Sequence, residues 1–297
     1  MMISAFTFGR NLLRACYPVR ECIASVLPIV DEFVVNIDEG DNETIAAIEA
    51  MNEPKIRIVT SSWNPRINIG GYVLSQQTNI ALFNCKGDWA IYLQADELIH
   101  ERDHQHLVDL MKKHKDDDGV EGIVLRRLTF YNDAHTLSNV HPFAIDPVVR
   151  IVKPHRFVLS RGDAAGFTVH PKYKDRGRAV RAVDSGVDLF HYGPLGQVAL
   201  QRKKKLADDL WQDEGTGRTL PEPYVRIPRH FVRRYEGSHP APMAGQIGPV
   251  SEALDLDSPD WRRSMNFRER RKWLRTWLIL NVSSIFNRRR DHRIVRT

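Results

Sequence analysis

The chain contains little cysteine and no long apolar run. Its three cysteines, Cys16, Cys22 and Cys85, form no CxxC pair, which argues against both a zinc ribbon and a disulfide framework. We therefore expect the reducing environment of the cytoplasm. No basic segment followed by a long apolar stretch is found at the start, so no secretion signal is predicted. The longest apolar candidate, residues 277–286, is interrupted by polar residues and is too short to span a bilayer.

The positive charge is concentrated near the carboxyl terminus. The net charge is +6, yet residues 261–297 contain twelve Lys or Arg residues and only two acidic residues. The rest of the chain is therefore net acidic. The basicity is a local surface for anionic partners and not a property of the whole molecule. No recognisable nucleic-acid-binding module accompanies it, so nucleic acid is not an expected partner.

The basic segment also has an amphipathic pattern. Apolar residues recur at helical spacing at Leu274, Trp277, Leu278, Val282 and Ile285. Basic residues gather on and before the other face. Tryptophan beside arginine on such a helix suits the headgroup layer of an anionic membrane, which would place the protein on the inner face of the plasma membrane. A helix packed on the core with a solvated basic face is the open alternative.

The first hundred residues alternate between strand and helix patterns. Strands are predicted at 2–8, 33–37, 55–60 and 89–93, and helices at 20–27, 42–51 and 72–84. This rhythm predicts βαβ units, and so a nucleotide-binding α/β fold with a parallel sheet and helices on both faces. A helix at 101–114 and strands at 122–129 and 148–152 are expected to follow. We divide the chain into an α/β domain (1–195), a Pro/Gly-rich extension (196–260) and the basic tail (261–297).

Two acids follow the fourth predicted strand. In GDWAIYLQADE, residues 87–97, Asp96 and Glu97 come at the carboxyl end of a buried strand, the edge at which ligands bind in open α/β sheets. Such a pair suits Mg²⁺ or Mn²⁺, which take oxygen ligands and keep bonds to substrate phosphates. The alternative is that one of the acids caps a helix beginning near residue 101.

Four segments together resemble the N-terminal half of family 2 glycosyltransferases of the Rossmann-like GT-A fold. They are VVNIDEGDNET (34–44), KIRIVTSSW (55–63), GGYVLSQQTNIAL (70–82) and GDWAIYLQADE (87–97). The resemblance implies inverting transfer from a nucleotide-diphosphate sugar, with a UDP-sugar as the expected donor. The implied acceptor is a glycan or a lipid-linked molecule in bacterial envelope polysaccharide or lipopolysaccharide synthesis. It also implies Mn²⁺ or Mg²⁺ as cofactor.

The resemblance assigns the donor site residue by residue. Asp96 matches the last position of an Asp-x-Asp motif and is expected to bind the metal ion. Gln94 takes the first position, where it can reach a ribose hydroxyl but adds no charge, and Glu97 is expected to supply that charge. The other donor-site residues are expected to be Thr7, Phe8, Arg10, Asp38, Glu39 and Asn79. The pattern does not decide whether Asp38 or Glu39 meets the base.

Segments further along the chain add candidates for the metal and acceptor sides. DLFHYGP (188–194) resembles the His-Tyr segment of related envelope enzymes, so His191 is an expected metal ligand; a histidine packed at a strand end is the alternative. VVRIVKPHRF (148–157) and GFTVHP (166–171) resemble the acceptor side, but proline stands at 171 where an acid is expected. Asp163 is therefore the candidate base, with His170 second. Asp163 as an ordinary turn residue is the open alternative.

Rival functions remain open at this stage. A non-catalytic relative that binds glycan or acts in assembly is suggested because Gln94 and Pro171 stand where acids are expected. A nucleotidyltransferase is disfavoured because the residues after the first strand, 7–11, do not form a Gly-rich phosphate loop.

Overall fold

The first half of the fold is a parallel sheet. The computed structural model describes residues 1–64, 66–67, 70–131, 133–138, 146–170, 177–193, 195, 199, 201–202, 232–249, 266–268, 270–271, 273–274, 278 and 292–295. The parallel strands are β1 (Ile3–Gly9), β2 (Glu32–Asp38), β3 (Ile56–Ser61) and β4 (Trp89–Tyr92). All four lie within one or two residues of the predicted strands. The apolar runs of β1, β2 and β4 are buried on both faces, whereas β3, at the end of the strand order, is only half-buried.

The second half makes the sheet mixed. Its strands are β5 (Glu97–Ile99), β6 (Gly122–Tyr131), β7 (Asp133–Ser138), β8 (Asp146–Val152), β9 (Val158–Arg161), β10 (Gly166–Val169), β11 (Arg178–His191), β12 (Val232–Arg234) and β13 (His292–Ile294). The main path through the sheet is β3-β2-β1-β4-β8-β6-β11-β10-β9. Because β8 is antiparallel to both β4 and β6, and β11 is parallel to β6, strands β1 to β4, β6 and β11 all point the same way. We call the edge at which they end the carboxyl edge and the opposite one the amino edge.

Helices cover both faces of the sheet. They are α1 (Val19–Ala24), α2 (Asn42–Glu49), α3 (Tyr72–Phe83) and α4 (His104–Lys113), with short 3-10 helices at Leu27–Ile29, Glu101–Asp103, Pro154–Arg156 and Ala241–Met243. Successive strand residues enter different apolar clusters: Val35 packs on the side of α1, α2 and α4, and Val34 on the side of α3. The predicted α/β class, a Rossmann-like GT-A fold with helices on both faces, is confirmed.

The segment after Asp96 and Glu97 shows that neither acid caps a helix near residue 101. Strand β5 begins at Glu97 itself, and the 3-10 helix that follows is capped by His100, whose ring accepts the backbone N–H of Arg102 at 3.3 Å. The alternative in which Asp96 or Glu97 caps a helix is therefore wrong. The acids belong to a loop between two strands, at the carboxyl edge.

Parts of the extension and the tail join the sheet. Strand β12 pairs with β7, and β13 pairs in parallel with β11, with His292 opposite Val180. The described residues between 267 and 278 are helical, as the amphipathic pattern predicts. Most of residues 196–231 and 250–265, and Trp277, Val282 and Ile285 of the predicted apolar face, lie outside the described residues. Among the helices that are described, none is long and apolar enough to cross a membrane.

Candidate functional site

The loop at residues 94–97, with the sequence QADE, is tightly held at the carboxyl edge, and we call it the acidic loop. Asp96 is 2% exposed and Glu97 is fully buried. Within the loop, the Glu97 N–H donates to the Gln94 carbonyl at 2.8 Å, and the Gln94 N–H donates to the Glu97 carboxylate at 3.0 Å. The Asp96 carbonyl accepts the Tyr192 N–H at 2.9 Å, which ties the loop to the end of β11. These contacts hold the backbone of Asp96 in place at the carboxyl edge.

Asp96 and His191 come together across adjoining strands. His191 ends β11 and is paired in register with Glu97, so its ring Nε2 lies 3.5 Å from Asp96 Oδ2. The other ring nitrogen, Nδ1, is buried and meets no hydrogen-bond partner among the described residues. Two of the three side chains predicted as metal ligands are therefore neighbours, although they are separated by almost a hundred positions in the sequence.

This pair fits a divalent cation that also binds a diphosphate. Within the part of the chain that the structure describes, no three His, Cys, Asp or Glu side chains form a complete metal-binding group. Mg²⁺ is usually held by one or two protein carboxylates together with substrate phosphates and water, and imidazole suits the softer Mn²⁺. One carboxylate and one imidazole meet that requirement only when the substrate supplies further oxygens.

Glu97, the third predicted ligand, lies in a buried ion pair instead. Its carboxylate receives Arg150 Nε and Nη2, both at 2.8 Å, and neither side chain is exposed to solvent. Burial alone would raise the pKa of Glu97, but the Arg150 guanidinium outweighs burial, so that the pKa lies below its ordinary value. The carboxylate is charged, and both of its oxygens already have donors.

The sequence reasoning missed two arginines of the site. Arg150, on β8, is the partner of Glu97, and Arg127 approaches from β6. The guanidinium of Arg127 has its pKa lowered first by burial and then by Arg150, whereas the charges of Glu97, Asp96 and Asp163 raise it. The available signal was arginine inside two largely apolar strands, two arginines in GIVLRRLTFY and one in DPVVRIV.

Asp163 occupies the exposed turn between β9 and β10. Its Oδ1 accepts the Ala165 N–H at 3.3 Å, and Gly162 and Ala164 have φ of +61° and +62°. The turn role is therefore real, and the charge of Asp163 also acts on Arg127 in the site. His170 lies at the other end of β10, beyond the pairing of Val169 with Arg178 at the start of β11. This position is towards the amino edge, away from Asp96.

The predicted donor-site residues line the ends of β1, β2 and β3. Arg10 Nε lies 3.3 Å from Asp38 Oδ2, and the Ser62 hydroxyl donates to Glu39. Phe8 stands between two aromatic rings, with its centroid 6.5 Å from that of Tyr92 and 6.2 Å from that of Trp63. The hydroxyl of Thr7 is buried and meets no partner among the described residues. Charged and aromatic groups thus lie together at the carboxyl edge, whereas Thr7 is fully buried within the sheet.

Asn79 has a different neighbourhood from the other predicted donor-site residues. Its amide donates to the Ser160 carbonyl at 3.0 Å and accepts the Ser160 N–H at 2.8 Å, which joins α3 to β9. The amide of α3 that faces the ends of β2 and β3 belongs to Gln77. Gln77 Oε1 accepts the Asn36 amide at 2.8 Å and lies 2.6 Å from the Ser61 hydroxyl. Gln77 was not a sequence candidate.

Comparisons with known proteins give distant structural similarities only. No model of a known protein family matches the chain, and no curated protein matches it. S. aureus TarS 1-349 is 11% identical over 70% of this chain and 65% of its own, with a TM-score of 0.41. TarS 1-349 in complex with UDP is 13% identical over 53% and 48%, with a TM-score of 0.38. Full TarS is 11% identical over 69% and 39%, with a TM-score of 0.42. The chain spans less than two thirds of the length of each of these three proteins.

Proposed function

We propose that the protein transfers a sugar from a nucleotide-diphosphate donor, a UDP-sugar, to a hydroxyl of a glycan or lipid-linked acceptor, with inversion at the anomeric carbon. The observation that carries the proposal is the meeting of Asp96 and His191 at the carboxyl edge, with Arg127 on the neighbouring strand β6. At this edge Arg10 also follows β1 and Asp38 ends β2. Open α/β sheets bind their ligands there.

The donor lies across this edge in the proposal. Asp38 or Glu39 accepts hydrogen bonds from the base, and the aromatic side chain of Phe8 packs on it. Gln94, half-buried at the start of the acidic loop, reaches a ribose hydroxyl. Asn79 is left out, because both ends of its amide already bind Ser160.

In the proposal the diphosphate binds near the metal ion and Arg127. Asp96 and His191 would hold Mn²⁺ or Mg²⁺, which when bound stabilises the negative charge of the departing diphosphate. Arg127, which is paired in register with Leu189 two residues before His191, adds a positive charge to this part of the site. Glu97 is not a ligand in the proposal, since its oxygens are bound by Arg150. It contributes by keeping the loop in place.

Transfer requires a group that takes the proton of the acceptor hydroxyl. Asp163 fills this role in the proposal, because it is exposed and its turn is hydrogen bonded through the Ala165 carbonyl to Arg150, the partner of Glu97. The hydroxyl oxygen then bonds to the anomeric carbon as the bond to the diphosphate breaks, and the proton passes to Asp163. His170 is not assigned this role, since it lies towards the amino edge.

Calorimetric titration tests the donor class and the metal together. UDP, GDP, CDP and dTDP are each titrated with Mn²⁺ and with EDTA, into the wild type and Asp96→Ala. We expect UDP to bind with Mn²⁺ and to lose affinity in EDTA and in the variant. Binding without turnover of any UDP-sugar would favour the second candidate, a non-catalytic relative that binds glycan. This candidate is suggested by Gln94, which stands where an acid is expected. No nucleotide binding at all would reject the transferase.

The basic tail is the proposed contact with an anionic membrane. Phe267, Leu274 and Leu278 are 81%, 50% and 44% exposed, and their spacing puts them on one side of a helix. Arg270 and Arg271 flank this side and are exposed as well. We expect the protein to sediment with vesicles of anionic lipid and not with vesicles of neutral lipid. Leu274→Glu should weaken this binding, whereas Phe83→Glu, at an exposed aromatic on α3, should not.

A further inference from the structure

Arg150 is a fully buried arginine in the middle of the sheet. It lies on β8, and its guanidinium stands over the ring of Tyr92 on β4, 5.0 Å from the centroid. A buried guanidinium is costly unless its N–H groups meet acceptors. The acceptors of Arg150 therefore indicate which parts of the molecule it holds in place.

The first acceptor fixes the acidic loop. Two nitrogens of Arg150 bind the Glu97 carboxylate side by side, a geometry that gives both strength and direction. The same carboxylate accepts the N–H of Gln94 at 3.0 Å. One ion pair thus holds both ends of the loop, residues 94–97, and Asp96 lies between these ends.

The second acceptor belongs to the turn on the acceptor side. Arg150 Nη1 donates to the carbonyl of Ala165 at 3.2 Å. Ala165 in turn donates its N–H to the side chain of Asp163. The guanidinium that holds the acidic loop therefore also holds the turn at 162–165, which joins β9 to β10.

We propose that Arg150 is a positioning residue that couples the acidic loop, 94–97, to the turn at 162–165. Its catalytic consequence rests on the proposed function, in which the first segment binds the diphosphate and the second carries the base. Displacing catalytic groups by about 1 Å costs on the order of 10²-fold in rate. A single residue that sets the separation of these two segments therefore controls turnover without touching either substrate.

Hydrogen exchange of the unliganded protein tests the coupling without reference to activity. In Arg150→Lys, which keeps the charge but cannot form the two-pronged contact, we expect amides of both segments to exchange about tenfold faster or more. The control is Arg178→Lys, which weakens the comparable contact with Glu121 near the start of β11. Faster exchange in only one segment, or in both segments of the control, would overturn the proposal.

Turnover then separates positioning from stability. The double variant Glu97→Gln/Arg150→Met removes both charges, so it should regain thermal stability relative to Glu97→Gln or Arg150→Met alone, each of which leaves one buried charge unpaired. Its kcat should stay about 10²-fold low while the nucleotide Kd changes little. A kcat that follows thermal stability across the set would show a merely structural role. If the wild type binds no nucleotide, the proposed function fails, yet the exchange result still decides the coupling.

Discussion

Two buried glutamates with arginine partners lie at opposite edges of the sheet. Glu97 and Arg150 form the carboxyl-edge pair, with both contacts at 2.8 Å. Glu121 and Arg178 form the amino-edge pair, with contacts of 2.7 and 2.5 Å, and Arg181 adds a third at 2.8 Å. The residue types are the same in both places, but Arg150 is buried whereas Arg178 and Arg181 are partly exposed, and the segments that the two pairs hold are different.

The amino-edge pair stabilises segments that backbone hydrogen bonds already fix. Glu121 precedes β6, its N–H donates to the Arg181 carbonyl at 2.7 Å, and its carbonyl accepts the Lys153 N–H at 3.0 Å. The carboxyl-edge pair holds a loop and a turn that connect strands, and the first residue of β5 is the end of that loop. We therefore expect the same kind of contact to contribute mainly stability at the amino edge and mainly position at the carboxyl edge.

The largest effect is expected from removing the carboxylate of Asp96, the residue before Glu97 of the carboxyl-edge pair. Asp96→Ala should lower turnover by about 10³-fold, because the cation on the departing diphosphate loses its carboxylate ligand. The melting temperature should stay close to that of the wild type. Steady-state kinetics and thermal unfolding measure the two quantities. Asp109→Ala, at an exposed acid of α4, is the control and should change neither. Unaltered turnover in Asp96→Ala would place the chemistry elsewhere.

The next effect distinguishes the two candidate bases, which lie towards opposite edges. Asp163→Asn should lower kcat by about 10²-fold and leave nucleotide affinity unchanged, because proton removal is lost but the donor site is intact. His170→Gln should have normal kinetics. Single-turnover measurements with saturating donor provide the comparison. The reverse result, with loss in the histidine variant only, would assign the base to His170 and break the contrast between the edges.

At the amino edge the expected change is in stability alone. Glu121→Gln should lower the free energy of unfolding by about 1–3 kcal/mol, since hydrogen bonds from two arginines to a charged group are weakened. Turnover by the folded variant should not change. Urea denaturation monitored by circular dichroism gives the first value, and kinetics at 25 °C give the second. A kinetic defect equal to that of Arg150→Lys would show that the two pairs do not differ in role.

The smallest effect is expected in the pH dependence of the stability that the amino-edge pair contributes. Burial would raise the pKa of Glu121, but the guanidinium of Arg178 and then that of Arg181 lower it from 4.5 to about 2. A carboxylate with a depressed pKa adds stability that is complete above about pH 4.5 and is lost as the pH falls towards 2. The difference in unfolding free energy between the wild type and Glu121→Gln should therefore shrink across this range. A difference that stays constant down to pH 2 would contradict this assignment.

Some site residues could be predicted because strand ends are readable from local patterns. Asp38 and Asp96 follow apolar runs, and parallel strands bring their carboxyl ends to one edge. His191 was predicted from a looser resemblance, and the pairing of β5 with β11 places it beside Asp96. The role of Asn79 stays a prediction, and its contacts with Ser160 could not be read from the spacing of α3.

The sequence by itself determined the alternation of strands and helices, the class of the fold and the edge at which the acids lie. These properties depend on periodicity and on burial, which are local. Only the tertiary structure decided that Glu97 pairs with Arg150, 53 positions away, and that the same arginine reaches Ala165. The physical reason is that β8 enters the sheet between β4 and β6. A carboxylate takes whichever cation this strand order brings within hydrogen-bond distance.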